Sequence, residues 1–220
     1  MSATVAQALT FRFEDIWNAP VDTAAMDDRW EVLGHILQRH FGSLTIRFLE
    51  IGVWTGGTPA KLHLQFGPQV LYTGVDPYIG DDSDMYTGQF WSGDTEADRV
   101  YRKTKERVEG CGYELIRAKS LDFAAANPDQ LWDCILVDGD HRFKAALDDM
   151  ETFMPLVAPG GIMVVDDHAN SFHPEVEWAV REFINRHRSK IKRMGFHPVF
   201  FLLPGMQIPV MLSFVYFQFQ

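Results

Sequence analysis

Residues 45–58 read TIRFLEIGVWTGGT. The run from Thr45 to Ile51 is apolar and rich in strand formers, and it ends in a glycine cluster, Gly52, Gly56 and Gly57. Thr58 then opens a helix with Pro59 near its first position, where a missing N–H costs nothing. Upstream, Trp30, Leu33, Ile36, Leu37 and Phe41 recur at helical spacing from Asp28 to Phe41. Downstream, Val70–Val75 reads as a second strand ending at Asp76-Pro77, and Thr95–Val108 as a helix. Strands follow at Tyr113–Arg117 and Trp132–Val137, then a helix over Phe143–Phe153, a turn at Pro159-Gly160-Gly161, a strand over Ile162–Val165 and a helix over Glu175–Arg188. Two apolar runs, Phe196–Leu203 and Val210–Phe217, joined through Pro204-Gly205, predict a terminal hairpin. Alternating strands and helices predict an α/β fold built on a parallel sheet. Such sheets bind ligands at the carboxyl ends of their strands. That rule selects four places: Glu50–Thr58, Asp76–Tyr78, Asp138–His141 and Asp166–His168.

The chain has 220 residues, which suits one domain with a small extension over residues 1–27. Its length allows a full core without staples. Two cysteines, Cys111 and Cys134, make no disulfide framework and fit a reducing compartment. A formal charge of −10 argues against binding nucleic acid through phosphates. No apolar run reaches the roughly 20 residues that span a bilayer, and the N-terminus lacks the basic start and long apolar run of a secretory signal. The expectation is a soluble cytoplasmic protein.

The glycines of the first loop would let the backbone turn tightly and approach a ligand. Asp76, at the end of the next strand, could accept hydrogen bonds from both ribose hydroxyls. Glycine after a first strand is also common to many α/β proteins, so the loop alone does not decide. A dinucleotide is disfavoured, because Trp54 stands where a second glycine would admit a pyrophosphate and Glu50 adds a negative charge. Glu50 instead suits a cationic group, and Thr58 with its helix N-terminus suits a carboxylate. S-adenosylmethionine carries both, beside a ribose.

Asp138 ends the fourth strand, and Asp166 and Asp167 end the fifth. Three carboxylates on one edge repel unless a cation sits among them, and oxygen ligands favour a hard ion such as Mg²⁺. Zinc is disfavoured because no Cys/His pair shows ligand spacing. The competing reading is that these aspartates cap helices or turns. His141, three residues after Asp138, could take a proton at neutral pH. Lys144 and Asp140 are rival bases. His168 either lines the pocket or faces solvent, and His35, His40, His63 and His187 read as structural or exposed. The stretch Tyr78–Gly93, with Tyr86, Phe90 and Trp91, is either a lid or a loop packed on its own aromatics.

The motifs EIGVWTGGT (50–58), VDPY (75–78), ILVDGDH (135–141) and GGIMVVDDH (160–168), in that order and spacing, resemble class I S-adenosylmethionine-dependent methyltransferases. More narrowly, they resemble the metal-dependent O-methyltransferases that act on sugars of macrolide and aminocoumarin natural products. The resemblance covers roughly residues 28 to 217. It implies a Rossmann-like, mostly parallel seven-stranded sheet with a C-terminal antiparallel hairpin and helices on both faces, with residues 28–220 as the methyltransferase domain. It implies S-adenosylmethionine held by Glu50, Gly52, Trp54, Gly56, Thr58, Asp76, Ser120 and Asp138. Ser120 would lie near the adenine, or else cap a helix with Asp122 close behind. Asp138, Asp166 and Asp167 would hold Mg²⁺ or another hard divalent cation, with Asp138 and His141 the catalytic residues. The implied partner is a small-molecule hydroxyl acceptor, with no nucleic acid and no membrane. The apolar C-terminal strands and residues 1–27 are candidate surfaces for a homo-oligomer. The alternatives are a nicotinamide-dependent oxidoreductase and a catalytically inactive cofactor-binding module.

Overall fold

The computed structural model of the chain describes residues 29–79, 94–201 and 210–220. The expected N-terminal extension, the body of the Tyr78–Gly93 loop and the Pro204-Gly205 connection lie outside the described residues.

The central strands are β1 (Ile46–Ile51) and β4 (Trp132–Val137), which pair in parallel with Phe48 opposite Cys134 and Ile51 opposite Val137. Both are apolar almost throughout, as strands covered on two faces must be. β2 (Val70–Asp76) and β3 (Glu114–Arg117) extend the sheet on one side, and β5 (Val157–His168) on the other. Beyond β5, β7 (Val210–Phe219) runs antiparallel between β5 and β6 (Ile191–Phe201). Among the described residues the sheet has seven strands in the order β3-β2-β1-β4-β5-β7-β6. This is the expected architecture, C-terminal antiparallel pair included.

Side chains of one strand alternate between faces, so the sheet carries two cores. Phe48, Cys134 and Leu136 face one, with Leu33 and Leu37 of α1 (Arg29–Phe41), Leu62 of α2 (Gly57–Phe66) and Val108 of α3 (Asp94–Gly110). Leu49, Ile135 and Val137 face the other, with Phe123 of α4 (Ser120–Ala126), Phe153 of α5 (Phe143–Phe153) and Phe183 of α6 (Pro174–His187). No helix among the described residues is long and apolar enough to cross a membrane.

Two elements depart from expectation. Pro159-Gly160-Gly161 does not reverse the chain; β5 runs straight through it. The register slips opposite Trp132 and Cys134, Gly160 has φ +83°, and a Cβ on Gly161 would strike the Asp133 carbonyl. Glycines here make a bulge in a strand, a feature they signal as readily as a turn. Ser120 begins a helix, α4, for which the sequence showed little periodicity.

The strand order reverses direction between β1 and β4, and the crevice beyond their carboxyl ends is where such sheets take ligands. Two backbone bonds tie the end of β1 to its neighbours: Gly52 N–H donates to Val75 O of β2 at 2.9 Å, and Asp138 N–H, just after β4, donates to Ile51 O at 2.8 Å.

Candidate active site

The crevice opens into a cavity of about 940 Å³. Its lining includes Glu50, Gly52, Trp54, Thr58, Asp76, Ser120, Asp138, His141 and Asp167. Residues picked from four separate strand ends therefore meet in one place. Gly56 and Asp166 are the two expected residues outside the lining. Gly56 caps α2 with φ +75°, and the side chain of Asp166 is fully buried behind the edge.

The first loop is shaped by β2 as much as by its own glycines. Asp76 accepts three backbone N–H bonds: Val53 and Trp54 donate to Oδ2 at 2.9 and 3.0 Å, and Tyr78 donates to Oδ1 at 2.9 Å. The Trp54 carbonyl accepts from the Tyr78 hydroxyl and the Thr104 hydroxyl, both at 3.0 Å. These bonds hold Trp54 at φ +50° and Tyr78 at φ +44°, in the left-handed region that side chains avoid. Burial raises the Asp76 pKa against the lowering effect of its three N–H donors. A carboxylate has about four lone-pair sites, so Asp76 clamps the loop with most of its capacity and keeps about one site for a ligand. Gly52 has φ +86°, and a Cβ there would enter the Asp138 carbonyl.

Glu50 is 1% exposed. The Tyr72 hydroxyl donates to its Oε2, and Thr58 also hydrogen-bonds it. Burial pushes its pKa up to about 7, against the lowering effect of these bonds. Trp30, one of the residues at helical spacing, lines the cavity and donates its indole N–H to Thr58 Oγ1 at 3.4 Å. At the other end, the Ser120 hydroxyl donates to Asp149 Oδ1 at 2.6 Å. Ser120 thus serves a buried acid on α5 rather than capping its own helix.

Because β4 and β5 are neighbours, with Val137 opposite Val165, the three aspartates do reach one edge. Their partners divide them. Arg29 Nη2 lies 2.6 Å from Asp138 Oδ2 and 2.7 Å from Asp166 Oδ2. Asp167 takes the other side, with Oδ2 2.9 Å from His141 Nε2 and Oδ1 accepting from Asn170 Nδ2 at 2.8 Å. His141 stacks on His173, ring centroids 3.9 Å apart. Asp167 has φ +56°, a strain held by the Asn170 bond and by its own N–H, which donates to Asp166 Oδ1 at 2.7 Å. Burial raises the Asp138 pKa to about 6, Arg29 opposing. Burial drives Asp166 up as well. For Asp167 burial also acts upward, but the His141 and Asn170 bonds outweigh it and hold this carboxyl well below its ordinary range. Arg29 would be lowered by burial, yet the three carboxylates raise it.

These residues fit a hard cation in donor chemistry. Asp166 Oδ2, buried, has an ion pair with Arg29 but no hydrogen bond of good geometry. Among the described residues, the set of metal-ligating groups whose donor atoms all lie within 4.8 Å of one another is His141, Asp167 and His173. The two histidines are 32 positions apart, so a search for short ligand spacing could not pair them. Nitrogen donors widen the choice beyond Mg²⁺ to softer transition ions.

Of the rival bases, Lys144 is not in the cavity lining; its side chain is 82% exposed and bonds Asp148 one turn along α5. Asp140 lines the cavity and is bound by Arg142. His168 neither lines the pocket nor faces solvent: it is buried, bonded to Ser213 at 3.1 Å, and burial lowers its pKa to about 4. The sequence reading missed Arg29, Trp30, His173 and Asp149.

A family model described as a methyltransferase domain matches residues 49–168. No curated protein sequence matches the chain. Among solved structures, the O-methyltransferase TomG from Streptomyces achromogenes, involved in tomaymycin synthesis and solved with SAM, is similar at 15% identity. That match covers 92% of this chain and 84% of that one, with a TM-score of 0.56. An O-methyltransferase from Bacillus cereus in complex with SAH is similar at 12% identity over 89% of this chain and 83% of that one, TM-score 0.51. Fibrillarin from Aeropyrum pernix, with natively bound S-adenosylmethionine, is similar at 14% identity over 86% and 74%, TM-score 0.53. At such identities these likenesses concern the fold.

Proposed function

The chain belongs to the methyltransferase-domain family, and from that premise we propose that it transfers a methyl group from S-adenosylmethionine to a hydroxyl oxygen, with a hard divalent cation held at Asp138, Asp166 and Asp167. The observation that carries this reading is the meeting, in one cavity, of the Glu50–Thr58 loop with Asp138, His141 and Asp167. Two of the solved structures of this fold are O-methyltransferases with SAM or SAH bound.

The donor end is built for a zwitterion. An ammonium beside Glu50 would draw its raised pKa down and fix the carboxylate form, while the start of α2 at Thr58 favours a carboxylate. Asp76 would offer its remaining acceptor site to a ribose hydroxyl, and Ser120 stands at the adenine end. When bound, the sulfonium supplies an electrophilic methyl and the cation acidifies the acceptor hydroxyl. With His141 Nε2 2.9 Å from the Asp167 carboxylate and donating to it, the basic nitrogen of the ring is Nδ1; it takes the hydroxyl proton, and Asp167 stabilises the imidazolium. The chain's main contribution is to hold donor and acceptor in near-attack geometry.

The acceptor we propose is a sugar hydroxyl on a natural product. Trp54, 54% exposed in the cavity lining, has an indole on which the C–H side of a sugar ring would pack. Exposed Ile79 and Leu121 extend that apolar rim. A phenol would use the same rim. Family membership argues against the nicotinamide-dependent oxidoreductase alternative.

The test combines calorimetry with SAH and methyl transfer from labelled S-adenosylmethionine to sugar and phenol acceptors. SAH should bind. Transfer should stop in excess chelator, and His141→Ala should lower kcat by about 10²–10⁴-fold with little change in acceptor KM. Full turnover in chelator would remove the cation from the mechanism. Full turnover of His141→Ala would assign the proton to another group. Bound SAH without transfer to any acceptor would favour the inactive binding module.

A further inference from the structure

We propose that the Arg29 guanidinium and a divalent cation are alternative occupants of one seat between Asp138 and Asp166, so that ion entry requires Arg29 to withdraw. The proposal rests on the cation reading of the aspartate cluster given above.

The contact geometry is that of a stand-in. A guanidinium pairs best with a carboxylate through two parallel N–H bonds. Here a single nitrogen, Nη2, serves two carboxylates at 2.6 and 2.7 Å. Among the described residues, buried Arg29 Nε has no hydrogen-bond partner, and Asp166 Oδ2 has none of good geometry. The two oxygens converge on a point, as they would on a compact ion, and the fork shape of the guanidinium goes unused. One positive charge also undercompensates: Asp138, Asp166 and Asp167 bring three carboxyl groups against Arg29 and the imidazole of His141. A divalent cation answers that deficit better than a single guanidinium does.

The position of Arg29 points the same way. It lies on α1 beside Trp30 and reaches from there to two aspartates at the ends of different strands. The aspartates hold it there. Withdrawal is open to it: the side chain is 28% exposed, whereas that of Asp166 is fully buried. The guanidinium already lies 5.6 Å from the ring of Trp30, a face on which a displaced cation can rest. Trp30 in turn donates to Thr58 at the donor loop. Ion entry would therefore be felt at the start of α1 and at the donor end of the cavity.

The test titrates MnCl₂ into the full chain, with free Mn²⁺ read by electron paramagnetic resonance, and needs no turnover. Arg29→Met should bind Mn²⁺ at least tenfold more tightly than the unmodified protein. It should unfold at lower temperature without the ion and gain more from adding it. Equal or weaker Mn²⁺ binding by folded Arg29→Met overturns the proposal. A second measurement avoids dependence on that variant. In spectra of the ¹⁵N-arginine-labelled protein, the side-chain resonance lost in Arg29→Lys identifies Arg29, and saturating Mg²⁺ should shift it. Mg²⁺ bound with that resonance unmoved overturns the proposal as well. If neither protein binds Mn²⁺ while both bind SAH, the ion seat falls and methyl transfer stands. If Mn²⁺ behaves as expected but SAH does not bind, the seat stands and the donor assignment falls.

Discussion

Asp149 shows what a single buried acid costs and why it can be kept. It is 5% exposed on α5 and lines the cavity, with the Ser120 hydroxyl as its partner. Burial pushes its pKa up to about 7, against the lowering effect of the Ser120 bond. Between the ordinary carboxyl value and about 7 the folded protein holds a proton that the unfolded chain has released. Stability from this group is therefore full at acid pH and lost as pH rises toward 7. Asp149→Asn keeps an acceptor for Ser120 and removes the titration. It should raise Tm at pH 8, by at most roughly 4 kcal/mol of stability, and the gain should vanish near pH 4. Equal Tm values at pH 8 would show that the buried carboxylate is better solvated than its surroundings suggest. Asp76 teaches the converse caution. Its three backbone bonds mean that Asp76→Ala disturbs the loop itself, so lost SAH affinity in that variant would not measure a ribose contact alone.

Among elements, the glycine loop between β1 and α2 is the one whose backbone leaves least room for change. Gly52 and Gly112 share a left-handed backbone, φ +86° and +77°. They differ in surroundings: a Cβ on Gly52 enters the Asp138 backbone, whereas nothing lies within 4 Å of one on Gly112. Gly112→Ala should cost only the conformational strain, about 1 kcal/mol. Gly52→Ala should cost more than about 2 kcal/mol, because strain and collision add. It should also weaken SAH binding, since the loop carries Trp54 and Thr58. Chemical denaturation of the two variants side by side checks this, and similar losses would mean that β1 and β4 can separate at their ends without penalty.

For the whole molecule, the last strand is what closes the second core. β7 lies between β5 and β6, with Phe217 opposite Met163 of β5. Phe217 is fully buried, its ring 5.4 Å from that of Phe183 on α6. Phe217→Ala should cost about 3–5 kcal/mol, the usual price of an emptied aromatic core site. A loss under about 1 kcal/mol in a denaturant titration would mean the C-terminal pair is only loosely joined to the sheet. The apolar runs of β1, β4 and β7, the amphipathic faces of α1, α5 and α6, and the polar residues after each strand are local patterns. Period and strand-end chemistry are written in neighbouring residues, so the sequence alone determined the α/β class, the edge of the sheet that carries the site, and Glu50, Asp76, Asp138, His141 and Asp167 as its lining. It did not separate the Gly160-Gly161 bulge from a turn, because glycine permits both and the choice depends on the strand alongside. Nor could it pair His141 with His173, Ser120 with Asp149, or Arg29 with Asp138 and Asp166. Those contacts join residues 29 to 137 positions apart, and only packing the helices on the sheet decides which distant charges must share one low-dielectric space.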